Sequence, residues 1–315
     1  MESLAAAGFA PVVVLADRCT DGTVGVASAA GAECWTCDGG RLGKSALLSR
    51  YLPEVLERYG SLDAVAVVDA DNRVEPSFGV SARRALAGGA LVLQGRLRTL
   101  NGADGFWPSA IGAAYEFSHW GSQVARMGWG AAMLGGTGMV FSREALSRVP
   151  FVSRTLTEDI EYTLLLWLAG VPVVVLQGAV LDEKPRGFRA VLRQRWRWMS
   201  GQLSCMYLFT WPLVRRGALD HLWVLWSPVL VLLTQVLGLA EIWLHPSQIP
   251  GAIVAASVLM GAAWLRSRSS AGVVPPWWGV FGAWLYSWVW LPAILGALLW
   301  PATVWKRTDH VGVRS

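Results

Sequence analysis

Apolar runs and amphipathic stretches alternate along the first 182 residues. Residues 11–15 (PVVVL) form an unbroken apolar run, ended by Asp17 and the turn Asp21-Gly22. Similar runs recur at 64–68, 90–94 and 171–176, with shorter ones at 32–36 and 138–141. Short β-branched runs bounded by turn residues predict strands buried on both faces. Between them, residues 23–30, 44–59, 110–127 and 158–169 read as helices. Thr23 caps the first and Gly170 ends the last. Strands alternating with helices predict an α/β fold: a mostly parallel sheet with helices on both faces. Ligands of such sheets bind beyond the carboxyl ends of strands, where Asp17 and Asp69 stand.

The pattern changes at residue 187. Arg189, Arg193 and Arg197 fall on one helical stripe, and Leu192, Trp196, Met199 and Leu203 on another. A basic face beside an apolar aromatic face predicts an interfacial helix. Residues 222–244, 249–265 and 277–300 then predict about three transmembrane helices. The expected division is a sheet domain at 1–185, an interfacial region at 186–220, spans within 221–305 and a tail at 306–315.

Composition supports the membrane part. Hydrophobic residues make up 54% of the 315 and charged residues only 16%, where a soluble domain carries about a quarter. The nineteen tryptophans crowd the C-terminal half, and Trp favours membrane interfaces. Residues 1–8 lack the charged and apolar regions of a signal peptide. The sheet domain is therefore expected on the cytosolic side of a cell (inner) membrane, as part of a multi-pass protein. Arg266 and Arg268 then fall on the same side, as the positive-inside tendency prefers. Three spans place Lys306, Arg307 and Arg314 opposite, against that tendency, unless one segment is re-entrant.

The net charge of +5 gathers around 186–197 and at Arg215-Arg216. Interleaved tryptophans and adjacent apolar spans assign this patch to lipid headgroups rather than nucleic acid. Cys34 and Cys37 have C-x-x-C spacing, but no second pair completes a zinc site. They read as ordinary thiols of a reducing compartment. A transporter is disfavoured, because Glu241 is the one acidic or basic residue of note in the apolar spans.

Three motifs carry candidate chemistry. Asp69-Ala70-Asp71 ends a buried strand. Two carboxylates so close suit a hard divalent ion that keeps waters and phosphate oxygens in its other positions; strand-end aspartates also form ordinary turns. Thr157-Glu158-Asp159 precedes a helix. It reads either as an N-cap with first-turn acids or as a general base aimed at an acceptor hydroxyl. Gln194-Arg195-Trp196-Arg197-Trp198 offers rings that stack on sugar faces and arginines that hold diphosphate oxygens. It equally suits an interfacial anchor with snorkelling arginines. Gly43-Lys44 stands in a loop before a helix, as a phosphate-contacting lysine would, though the P-loop frame is absent. Gly135-Gly136-Thr137-Gly138 is a small-residue loop that lets a ligand approach the backbone. His119 reads as a helix residue rather than a catalyst.

Together with Asp17-Arg18-Cys19-Thr20-Asp21-Gly22-Thr23 and Gly138-Met139, these motifs resemble membrane-bound glycosyltransferases of family 2, the relatives of cellulose, chitin and hyaluronan synthases. The resemblance covers about residues 2–210, the membrane tail and Trp305-Lys306-Arg307-Thr308. It implies a GT-A (Rossmann-like) fold and a nucleotide-sugar donor, commonly a UDP-sugar. It also implies inversion at the anomeric carbon and Mg²⁺ or Mn²⁺ as cofactor. By resemblance, Asp17 contacts the nucleoside and Lys44 the diphosphate. Asp71 binds the metal, with Asp69 assisting at the nucleotide. Asp159 is the base. Trp198, Gln194, Arg195 and Arg197 line the acceptor and diphosphate site, with Gly136, Thr137 and Glu158 beside it. The acceptor is expected to be a lipid or a growing glycan. Three spans hardly enclose a polymer channel, which points to single-sugar transfer to a lipid or to an oligomer. The family's sheet begins with an earlier strand that ends in a nucleobase-holding turn. Residues 1–8 match the end of the helix that follows it. The chain is thus expected to be a fragment, or to have its start assigned too far downstream. The leading expectation is a membrane-embedded, metal-dependent inverting glycosyltransferase, and the alternative is a non-catalytic membrane protein or fragment derived from such an enzyme.

Overall fold

Local pattern becomes local structure with few exceptions in the computed structural model, which describes residues 1–37, 43–248 and 277–303. The order opens with α1 (Glu2–Ala6), β1 (Val13–Asp17), α2 (Thr23–Ala29), β2 (Glu33–Cys37), α3 (Lys44–Arg58) and β3 (Ala64–Val67). Next come β4 (Arg73–Val74), α4 (Pro76–Ala87), β5 (Val92–Thr99), α5 (Phe106–Ser118) and α6 (Ala125–Met127). Then follow β6 (Met139–Ser142), α7 (Arg143–Arg148), α8 (Glu158–Leu168) and β7 (Val173–Asp182). The described chain ends with α9 (Phe188–Arg215), α10 (Leu219–Leu244), α11 (Trp277–Ser287) and α12 (Trp290–Leu299). The expected span 249–265, Arg266, Arg268 and the tail with Trp305, Lys306, Arg307, Thr308 and Arg314 lie outside the described residues.

The strands form two sheets. β1 and β2 pair in parallel, with Val13 opposite Glu33. The other five run in the order β3-β6-β5-β7-β4. There β3–β6, β5–β6 and β4–β7 are antiparallel. The expectation of a mostly parallel sheet is corrected: the architecture is a mixed α/β one. An unbroken apolar run predicts burial on both faces, which β5 and β6 show and the half-buried β1 and β3 show only in part, but it carries no information on strand direction.

Two compact units result: Met1–Leu97 with Gln123–Leu181, and Arg98–Ser122 with Asp182–Ser315. The first contains the sheets. One core gathers Met139, Phe141, Tyr162, Leu166 and Val173. A second gathers Phe78, Leu93, Val140 and Val180. Phe78 and Ala82 come from α4, a helix that was not expected. Its signal is Pro76 in the first turn, where the ring's fixed φ suits a helix start. Gly178 lies so close to α4 that an added Cβ would stand 2.4 Å from Phe78 Cα and 2.3 Å from Ser81 Oγ.

The second unit is helical. α5 starts before the expected helix 110–127 and ends in a π-helical turn at His119–Val124. Ala110 and Ile111 of α5 pack with Tyr286 and Val289. The apolar stripe of the expected interfacial helix has a protein partner within this unit. Met199, with Leu192, Trp196 and Leu203 beside it, packs against Ala293, Ile294 and Ala297 of α12. Trp196 Nε1 donates to Trp300 O at 2.9 Å, while Arg189 and Arg193 stay exposed. Two described helices are long and apolar enough to cross a membrane: Leu219–Leu244, with mean hydropathy 1.9, and Phe281–Leu299, with 1.4.

Replacing Gly178 by Ala forces α4 away from β7, and overpacking of this kind costs about 1–3 kcal/mol. The melting temperature in detergent is expected to fall by several degrees. An unchanged melting temperature would contradict the close approach.

Candidate active site

The site is built from three loops, one after β3, one before β6 and one before α8. At the end of β3, Asn72 N donates to Asp69 O at 3.0 Å, so Asp69 and Asp71 share one closed turn. Asp69 N donates to Thr137 Oγ1 at 3.0 Å, and Asn72 Nδ2 donates to the same oxygen at 2.8 Å. Thr137 therefore anchors the acidic turn to the glycine loop that precedes β6.

That loop is shaped from beneath by Gln94, a residue that sequence reasoning passed over. Gln94 is 2% exposed. Its Oε1 accepts from Gly135 N at 2.8 Å, and its Nε2 donates to Thr137 O at 2.9 Å. The available signal is a lone amide inside the apolar run LVLQG, since a buried amide must find partners. Gly136 has φ +82°, and a Cβ there would meet Asp159 Oδ2 at 3.3 Å. Glycine thus serves both the left-handed backbone and the close approach.

The third loop leads into α8. Glu161, fully buried, accepts from Ser153 Oγ at 3.0 Å, Arg154 N at 2.7 Å and Thr155 N at 2.8 Å. It clamps the turn that delivers Glu158 and Asp159. Sequence reasoning missed this role too. Its only trace is a third acid, one turn into a helix already opened by two.

Lys44, the first residue of α3, joins these loops. Its Nζ donates to Asp69 Oδ1 and to Gly136 O, and lies 3.8 Å from Glu158 Oε1. Gly43 N, one residue earlier, donates to Asp17 Oδ2 at 3.0 Å. Burial alone would lower the pKa of the ammonium. The carboxylates of Asp69, Glu158 and Asp159 outweigh that penalty and hold it above its ordinary value. Asp159 moves the other way. Burial, then the Glu158 charge, raise its pKa to about 7, although Ile160 N and Lys44 favour the ionised form. Its Oδ1 accepts from Ile160 N at 2.9 Å.

The first unit thus brings together Asp17, Lys44, Asp69, Gly136, Thr137, Glu158 and Asp159, with Asp71 on the same turn as Asp69. The donor set fits a divalent ion completed by ligand oxygens. Two carboxylates stand on one turn, and no group of three or more His, Cys, Asp or Glu that would hold a metal occurs among the described residues.

Gln194, Arg195, Arg197 and Trp198 belong to the second unit. Arg195 is fully buried. Its guanidinium carbon lies 3.7 Å from the Trp198 ring centre, 5.2 Å from Tyr286 and 5.3 Å from Trp290. None of its three nitrogens hydrogen-bonds among the described residues. Among the described residues its charge is met by ring faces. Trp198 is half-buried.

Residues 1–201 match the family described as "Glycosyltransferase like family 2". No curated protein matches the chain. Among solved structures, a mannosyltransferase from Pyrobaculum calidifontis, PcManGT, in complex with GDP-Man and Mn²⁺, is 15% identical with a TM-score of 0.52. That match covers 92% of this chain and 77% of that one. Glucosyl-3-phosphoglycerate synthase from Mycobacterium tuberculosis, in complex with Mn²⁺, UDP-glucose and phosphoglyceric acid, is 19% identical with a TM-score of 0.41. It covers 61% and 68% of the two chains. A crystal structure of a mycobacterial protein is 22% identical, with a TM-score of 0.41 and 62% of this chain covered. Less than two thirds of that protein's length, 64%, is spanned.

The raised pKa of Asp159 has a consequence for stability. Native Asp159 keeps its proton to about pH 7, whereas an unfolded aspartate releases it near 4. Between those values the native state binds more protons, so stability falls as pH rises. Asp159→Asn removes this loss. The variant is expected to be more stable than the parent by about 2 kcal/mol at pH 8, after allowance for solvent screening, and no more stable at pH 4. Thermal melts at both pH values test this, and an equal difference at the two would contradict the assignment.

Proposed function

Because the chain belongs to the glycosyltransferase-like family 2, we propose that it transfers a sugar from a nucleotide-sugar donor to a lipid or growing glycan at a membrane. The observation that carries this reading is the meeting of Asp69, Gly136 and Glu158 around the Lys44 ammonium, with Asp159 against Gly136. Lys44 binds diphosphate oxygens as a compact positive charge. Asp17 and Asp69 hold the nucleoside end. Asp71, assisted by Asp69, holds Mg²⁺ or Mn²⁺, which when bound offsets the negative charge that grows on the leaving diphosphate. The mannosyltransferase of the same fold is in complex with GDP-Man and Mn²⁺. That supports a nucleotide sugar with a divalent ion, and the resemblance favours a UDP-sugar.

The reaction is one displacement with inversion. The acceptor oxygen bonds to the anomeric carbon as the carbon–oxygen bond to the diphosphate breaks. The acceptor proton passes to Asp159, whose pKa near neutrality suits a group that must accept a proton and give it up again. Burial, and then the Glu158 charge, keep that pKa high. No side chain is needed as a nucleophile. On the second unit, Trp198 with Gln194 and Arg197 is assigned to the acceptor. The two apolar helices support a membrane location, with the sheet unit on the cytosolic side.

Asp159→Asn is expected to lower the transfer rate by about 10²–10⁴-fold while nucleotide-sugar affinity, by calorimetry, stays within about twofold. Turnover close to that of the parent would remove Asp159 as the base. In the parent, the rate is expected to rise with pH about an apparent pKa near 7. Independently, EDTA is expected to stop transfer and added Mn²⁺ to restore it. A rate unchanged in chelator would remove the metal from the scheme.

A further inference from the structure

Lys44 makes contacts that its role as a diphosphate ligand does not require. Two of its three donor positions are already engaged, by Asp69 Oδ1 and Gly136 O, and Glu158 stands at 3.8 Å. The side chain is 25% exposed, against 41% for Asp69. We propose that Lys44 is a specificity-determining counter-ion that keeps free divalent metal off the Asp69-Asp71 turn until a nucleoside diphosphate arrives. The inference rests on the donor and metal reading given above and deepens it.

The argument is electrostatic. Asp69 and Asp71 leave the end of β3, and Glu158 and Asp159 open α8. Asp69, Glu158 and Asp159 all act on the Lys44 ammonium. Such a set of carboxylates, with no cation among them, would attract a hard divalent ion from solution. The ammonium neutralises part of that charge and occupies one Asp69 oxygen. A dication brought beside it meets direct repulsion in a partly desolvated site. A nucleoside diphosphate changes both terms. It gives the ammonium a new anionic partner, which frees the Asp69 oxygen, and it supplies the metal with oxygen ligands. The flexible four-carbon stem of lysine permits the exchange. Metal and diphosphate should therefore bind as a coupled pair, each raising the affinity for the other by the same factor.

Mn²⁺ titrations of the full chain in detergent, followed by electron paramagnetic resonance, test this without turnover. In nucleotide-free protein, Lys44→Met is expected to bind Mn²⁺ at least about tenfold more tightly than the parent. Lys44→Arg, which keeps the charge, is expected to match the parent. Adding Asp69→Asn to Lys44→Met should abolish the gain, which locates it on the acidic turn. UDP or GDP should tighten Mn²⁺ binding in the parent by a larger factor than in Lys44→Met. If thermal melts show Lys44→Met to be unfolded, Lys44→Gln carries the same expectation. Nucleotide-free Lys44→Met binding Mn²⁺ no more tightly than the parent would overturn the proposal. A gain in Lys44→Met with no nucleotide effect on the parent would uphold the counter-ion role and contradict the donor reading instead.

Discussion

One ammonium group holds the sheet unit's loops in register. Lys44 reaches from the start of α3 to Asp69 after β3, to the carbonyl of Gly136 before β6, and towards Glu158 at the start of α8. These segments are far apart in sequence; β3 and β6 share a ladder, and the lysine ties the starts of α3 and α8 to it. Like-charged carboxylates converge there, and without a cation between them they would repel one another. The remaining polar atoms support the same arrangement. Gln94 holds the glycine loop from below, Thr137 holds the acidic turn, and Glu161 holds the approach to Asp159. A buried network of this kind is stable only when its members are satisfied together, so position and chemistry are coupled.

Much of this was legible in the sequence, for identifiable reasons. The helices at 44–59 and 158–169 and the strands at 64–68 and 138–141 declare themselves through local spacing and punctuation, and the structure follows them to within a residue or two. Asp69, Asp159 and Lys44 stand at element ends, where chemistry in α/β folds collects. Strand direction was not legible, because β6 pairs antiparallel with both β3 and β5 through choices that no local run records. Gln94 and Glu161 were hidden for a related reason. Their importance lies in backbone groups 6 and 7 residues away for Glu161 and 41 and 43 away for Gln94, which their own neighbourhoods do not mention.

The second unit shows the same limit. The apolar stripe of α9 was visible, but its partner was not. Amphipathic spacing says that a face is covered, without saying whether lipid or protein covers it. Here α12 supplies the cover. Arg195 is the sharper case. In the motif it reads as an anion clamp, yet Tyr286 and Trp290, some ninety residues later, enclose it with Trp198. Among the described residues ring faces meet the guanidinium, and Trp198 stays half-buried.

The account's central claim is that the loops gathered by Lys44 form the seat of a nucleoside diphosphate. The most direct measurement is an experimental structure of the full chain with UDP or GDP and Mn²⁺. The account predicts diphosphate density against Lys44 and the Gly136-Thr137 loop, with the metal on the Asp69-Asp71 turn and Asp159 alongside. A diphosphate bound elsewhere, with the Lys44–Asp69 contact intact, would contradict it.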